Sequence, residues 1–228
     1  MHTRHLSNQP FTFGPVTNKA LAALAGCCGI VVIIIAPSSP KLALVLTVLL
    51  LLAMYIYILI VRSRVSYTLT ATHFQQHLYK GGWVVKWTNI SQIGICQYDQ
   101  DGWQTPLPWI GIKLKHYSPY LDGICPRVAA EILLGQRALL YLGAKQLGQE
   151  AQFENIVFDA RPYSGSQGKI YEGLLAILAN RMTYQRRFYG YDIFIAVRDL
   201  DRSAEEFVGL ARRYLAAAEP EPKQIDDQ

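Results

Sequence analysis

Two patterns of apolar and polar positions divide this chain. From Ala20 to Val61 the residues are apolar on every helical face, broken once by Pro37-Ser38-Ser39-Pro40-Lys41. No charge lies in Ala20–Ala36 or Leu42–Val61, which hold 17 and 20 residues. Crossing a hydrocarbon core about 30 Å thick takes roughly 17–25 apolar residues, and in lipid the backbone must bond to itself. The run predicts two membrane helices, 20–36 and 42–61, joined by a tight turn. A cleaved signal peptide is a poor alternative, because Ile35-Ala36-Pro37-Ser38 is a weak cleavage site and a second apolar run follows at once.

After Arg64 the period becomes two. Val65, Tyr67 and Leu69 alternate with Ser66, Thr68 and Thr70, and Phe74, Gln76 and Leu78 alternate with His73, Gln75 and His77. Lys80-Gly81-Gly82 predicts a turn, since paired glycines accept positive φ. Trp83–Trp87, Ile90–Tyr98 and Trp109–Lys115 predict further strands, with a second turn at Asp99-Gln100-Asp101-Gly102. Close turns between short strands point to an antiparallel meander.

The period then lengthens. Val128–Leu147 predicts one helix behind Pro126. Phe153–Asp159 predicts a strand and Arg161–Gly168 a polar connection. Lys169–Arg187 predicts a helix with Ile170, Leu174, Ile177 and Leu178 on its apolar stripe. Tyr191–Arg198 predicts a strand. Ser203-Ala-Glu-Glu206 is a capping box opening a last helix that ends near Ala218. Residues 219–228 are expected to be a disordered tail, and residues 1–19 a segment ahead of the membrane.

Charge sets the orientation. Arg4 and Lys19 precede the first span and Arg62 and Arg64 follow the second, whereas the turn carries Lys41 alone. Both termini are therefore expected in the cytoplasm, in a multi-pass protein of the plasma membrane. The net charge is +5. Cations beside a membrane attract anionic lipid at roughly 1 kcal/mol each, so lipid rather than nucleic acid is the expected partner. Gly26 and Gly29 stand three apart, which is not the GxxxG spacing. They let the two spans pack closely or support a homo-oligomer.

Four cysteines without a C-x-x-C spacing exclude a disulfide framework and a zinc site. No metal or cofactor is expected. Gly165-Ser-Gln-Gly168-Lys169 lacks phosphate-loop spacing, and Ser166-Gln-Gly-Lys169 matches Ser-x-x-Lys without its companion motifs. His73 and His77, four apart on a strand, would be about 13 Å apart, too far to share a metal. Cys96 reads as a small core residue. Arg181-Met-Thr-Tyr-Gln-Arg186-Arg187-Phe-Tyr-Gly-Tyr191 mixes cations with aromatics. It reads as a helix end entering the core, as a membrane-surface segment, or as a surface that stacks nucleic-acid bases, in that order of preference. Arg62, Arg64, Arg181, Arg186 and Arg187 are the candidates for membrane or lipid contact.

Two spans, then Tyr67-Thr-Leu-Thr70, Phe74, Lys80-Gly81-Gly82-Trp83 and Trp87-Thr-Asn-Ile-Ser-Gln-Ile93, resemble the bacterial pleckstrin-homology-like membrane proteins. The resemblance covers about Ala20 to Lys115; Tyr191–Arg198 and the helix from Ser203 resemble the closing strand and helix of such a domain. It implies an α+β fold: a transmembrane hairpin, then a cytoplasmic pleckstrin-homology-like antiparallel sheet domain over 65–218. The helical insertion, about 126–190, departs from the family pattern. The resemblance implies no catalytic residues. The expected function is non-enzymatic scaffolding or interaction at the inner membrane, with a protein partner, a second copy or lipid headgroups. The alternative is an enzyme at the membrane surface whose groups, such as Ser166, Lys169 and a carboxylate, converge only on folding.

Overall fold

The computed structural model describes residues 2–9, 15–35, 37, 39–100 and 102–218. In chain order these form β1 (Arg4–Ser7), α1 (Pro15–Ile35), α2 (Pro40–Arg62), β2 (Ser66–Leu69), β3 (His73–Leu78), β4 (Gly81–Lys86), β5 (Ile90–Gln100) and β6 (Trp103–Leu114). There follow α3 (Ser118–Gly123), α4 (Pro126–Gly135), α5 (Arg137–Gln146), α6 (Phe153–Val157), β7 (Tyr163–Ser164), β8 (Ile170–Tyr171), α7 (Gly173–Tyr189), β9 (Ile193–Ala196) and α8 (Ala204–Ala216). The protein is a mixed helix-and-sheet fold of two compact units. Gln9–Arg64 forms one, and the segments on either side of it form the other.

In the first unit, α1 and α2 face one another across a small apolar space lined by Cys27, Val31, Leu46 and Leu50. Pro40 starts α2, where its missing N–H costs nothing. Among the described residues, one helix, Pro40–Arg62, is long and apolar enough to cross a membrane. Most of its leucines, valines and isoleucines are exposed, Leu46, Leu50 and Val61 are half-buried, and Ala43 is buried. The other expected span lies within helix α1.

The second unit holds three antiparallel sheets, ordered β1-β2-β3-β4, β5-β6-β9 and the small β7-β8. Period-two alternation places Tyr67, Leu69, Phe74, Trp83 and Val85 inside. Phe74 stacks on Trp87 at 5.4 Å and meets Trp83 edge-on at 5.4 Å. Helix α8 covers this layer by inserting Phe207 against Tyr67 and stacking Tyr214 on Trp87. Such aromatic pairs add about 0.5–1.5 kcal/mol beyond their buried area. The Ser203 hydroxyl accepts from the Glu206 N–H, so the capping box supplies its first bond. On β5 and β6, Gly94 faces Gly111. Tyr191 lies across both, and a Cβ on Gly111 would come within 2.3 Å of its ring.

Several elements differ from expectation. The N-terminal segment contributes strand β1, which pairs with β2 through Leu6↔Tyr67. The sheet therefore begins before the apolar helices. β6 starts at Trp103, well ahead of Trp109, and β9 is shorter than Tyr191–Arg198. The helical insertion begins at Ser118 and ends at Tyr189. Val128–Leu147 is two helices, because Gln136 leaves helical geometry and buries its amide against the Phe194 carbonyl at 3.2 Å. Phe153–Asp159 forms no strand: Phe153, Ile156 and Val157 share a face at helical spacing and pack in a small cluster with Leu140 and Phe188. Helix α7 starts at Gly173, so Ile170 and Leu174 are exposed, and the buried face is Ala176, Ala179, Met182, Gln185 and Phe188. The expected disordered tail, 219–228, lies outside the described residues.

Candidate functional site

Helix α7 ends at Gly190, whose φ of +77° is the left-handed conformation glycine adopts without strain. The turn brings Asp192 back toward Arg186, in the last turn of α7. The Asp192 side chain is fully buried. Its Oδ1 accepts from Arg186 Nε at 2.7 Å and from the Tyr117 hydroxyl at 2.7 Å. Its Oδ2 accepts from Arg186 Nη2 and from the Leu114 N–H at 2.7 Å. Arg186 Nη2 also donates to the Leu114 carbonyl at 2.7 Å, and the guanidinium lies 4.9 Å over the Tyr117 ring. The hydrogen bond to Asp192, set against partial desolvation, holds the Arg186 pKa above its ordinary value. Burial, followed by the Asp192 charge, raises that of Tyr117.

This ion pair forms one wall of a pocket of about 310 Å³ lined by Lys115, His116, Tyr117, Tyr163, Ser166, Thr183 and Arg186. Asn89 fixes the Lys115–His116 edge: its carbonyl accepts from the Lys115 N–H, its Oδ1 from the His116 N–H, and its Nδ2 donates to the His116 carbonyl. Tyr163 stacks on Tyr117 at 5.9 Å. Ser166 donates to Ser118 Oγ at 2.8 Å. No Asp or Glu lines the pocket among the described residues.

Beside it, Lys169 donates to Asp122 Oδ1 at 2.6 Å and Tyr171 donates to the same oxygen at 2.9 Å. These bonds raise the Lys169 pKa and lower that of Asp122, although both side chains are about half exposed. Lys169 is thus held protonated, with no lone pair to accept a serine proton. Ser166 and Lys169 lie in the connection of a small hairpin, closed by the Gly165 N–H to the Lys169 carbonyl; Ser166 opens a single 3-10 turn there, and α7 starts only at Gly173.

The arginines anticipated from sequence separate. Arg62, Arg64 and Arg187 are exposed. Arg181 is 2% exposed, which corrects its place among the lipid-contact candidates. Its guanidinium donates to the Leu133 carbonyl at 2.5 Å and the Val157 carbonyl at 3.4 Å. Those carbonyls belong to the last turns of α4 and α6, where unpaired C=O groups carry partial negative charge. Burial, then Arg137, lowers its pKa to about 10. Arg186 is one-third exposed and committed largely to Asp192.

His73 and His77 remain apart: His77 Nε2 meets Thr68 Oγ1 at 3.0 Å and His73 Nδ1 meets Thr72 Oγ1 at 2.7 Å. Cys96 is fully buried, and burial pushes its thiol up to about 12. Lys115–His116, Tyr163 and Thr183 are not joined by any spacing in the sequence, because they reach the pocket from separate elements.

No curated protein and no solved structure matches the chain. A family model described as "Protein of unknown function (DUF2982)" matches residues 67–217, from β2 to the end of α8. The match spans most of the chain and the sheets from β2 onward, with β1 outside it, and the protein belongs to this family.

Proposed function

We propose that this protein is a membrane-anchored, non-enzymatic interaction module of the inner membrane. The observation that carries the reading is α2, most of whose large apolar side chains are exposed. In water that surface would cost about 25 cal/mol per Å²; in lipid it costs nothing. On this reading α1 crosses as well, both termini are cytoplasmic, and Pro37–Lys41 lies outside.

The four-stranded and three-stranded antiparallel sheets with α8 packed on them support a pleckstrin-homology-like domain, interrupted by α1–α2 after β1 and by α3–α7 after β6. Exposed Arg62, Arg64 and Arg187 are its contacts with anionic headgroups. The pairing of Lys169 with Asp122 supports the non-enzymatic reading. The test is membrane extraction and cysteine labelling in whole cells. The protein should stay with the membrane at alkaline pH, and a Ser39→Cys variant should react from outside with an impermeant maleimide. Release at alkaline pH, or labelling of Cys125 in place of Ser39→Cys, overturns the reading.

A further inference from the structure

The pocket beside Arg186 is made of donors. Among the described residues, the Lys115 ammonium, the Tyr163 hydroxyl and Arg186 Nη1 have no hydrogen-bond acceptor. They come from just past the end of β6, from β7 and from α7, and their residues line one pocket. Ser166 and Thr183 add hydroxyls at the rim, and Thr183 Oγ1, which donates to the Ala179 carbonyl, keeps its lone pairs for a water or a ligand proton. Asp192, fully buried behind Arg186, pairs with Nε and Nη2 of the guanidinium and leaves Nη1 to the pocket, where the Lys115 ammonium is the uncompensated charge. The part of Asp192 is to hold the guanidinium still, and a fixed donor loses less freedom when it binds.

We infer that this pocket binds a phosphomonoester. A carboxylate presents two oxygens in a plane, one fewer than the three donors without an acceptor. A terminal phosphate presents three oxygens and up to two negative charges to Lys115 and Arg186. A volume of about 310 Å³ leaves room for the small group that bears the phosphate. The pocket lies wholly within the sheet-and-helix unit, so the inference goes beyond the proposed anchoring and does not depend on it.

The same chemistry is found on soluble phosphorylated metabolites and on phosphatidic acid, and one experiment separates them. Full-length protein in dodecyl maltoside is titrated into glycerol 3-phosphate while its phosphorus NMR line is followed. The line should broaden and shift. A Lys115→Gln/Tyr163→Phe variant should bind at least about tenfold more weakly, equivalent to ~1.4 kcal/mol, with an unchanged melting transition. Phosphatidic acid added to the micelles then identifies the source: displacement of glycerol 3-phosphate, which phosphatidylcholine does not reproduce, assigns the site to a lipid headgroup. Retention assigns it to a soluble phosphate compound. An unchanged line with the wild-type protein, or equal binding by the folded double variant, overturns the inference.

Discussion

Arg186 and Asp192 grip one another across the left-handed turn that ends α7, and the buried carboxylate also takes the Tyr117 hydroxyl and the Leu114 N–H. One side chain thereby joins the helical insertion to the end of β6 and the start of β9. Removing one partner of a buried pair costs about 3–5 kcal/mol, because the other charge stays uncompensated. Asp192→Ala should lose stability on that scale in denaturant unfolding of the full-length protein.

Arg181 holds two helix ends without a carboxylate partner, and its Nε has no hydrogen bond. Arg181→Met keeps the buried stem and strands the Leu133 and Val157 carbonyls. A loss of about 1–3 kcal/mol is expected, read as a lowered melting temperature with unchanged helix content at 25 °C.

Tyr191 lies so close to the β5–β6 glycines that a Cβ on Gly111 would fall 2.3 Å from its ring. Gly111→Ala should destabilise by about 1–3 kcal/mol through overpacking. Adding Tyr191→Ala should restore part of that loss, giving a non-additive double-mutant cycle.

His5 Nδ1 and His77 Nε2 both bond the Thr68 hydroxyl, at 3.1 and 3.0 Å, and so tie β1, β2 and β3 together on one sheet face. Burial, then the neighbouring His5, lowers the His77 pKa below 6.5. The unfolded chain therefore binds the proton more readily than the folded one. The contribution is complete above the unfolded value and is lost as pH falls through the folded value. Stability should decline as pH drops from 7 through this window, and His77→Gln should flatten the decline in a pH series of unfolding curves.

Cys96 is buried with its thiol at about 12, whereas Cys125 is exposed at the start of α4. Thiolate is the reactive form. Under native conditions iodoacetamide should modify Cys125 and spare Cys96, and in denaturant both should react, as peptide mass spectrometry can show.

The sequence by itself determined what depends on neighbouring residues. Unbroken apolarity marked α2, alternation marked β2 to β5, and Ser203 marked the start of α8. Tertiary structure decided what depends on residues far apart. Strand β1 is four residues long and declares itself only by pairing with β2, across the whole length of both apolar helices. The break at Gln136 comes from a carbonyl on β9, and the short apolar run at Phe153 fits either period until Leu140 and Phe188 make the helical face the buried one. Arg181 and Arg186 stand five apart on one helix, and both read as surface cations. Packing buries the first between two helix ends and turns the second toward Asp192, because a guanidinium settles wherever the fold supplies acceptors. The pocket of Lys115, Tyr163 and Arg186 belongs to the same class: its donors converge only once β6, the small hairpin and α7 are in place.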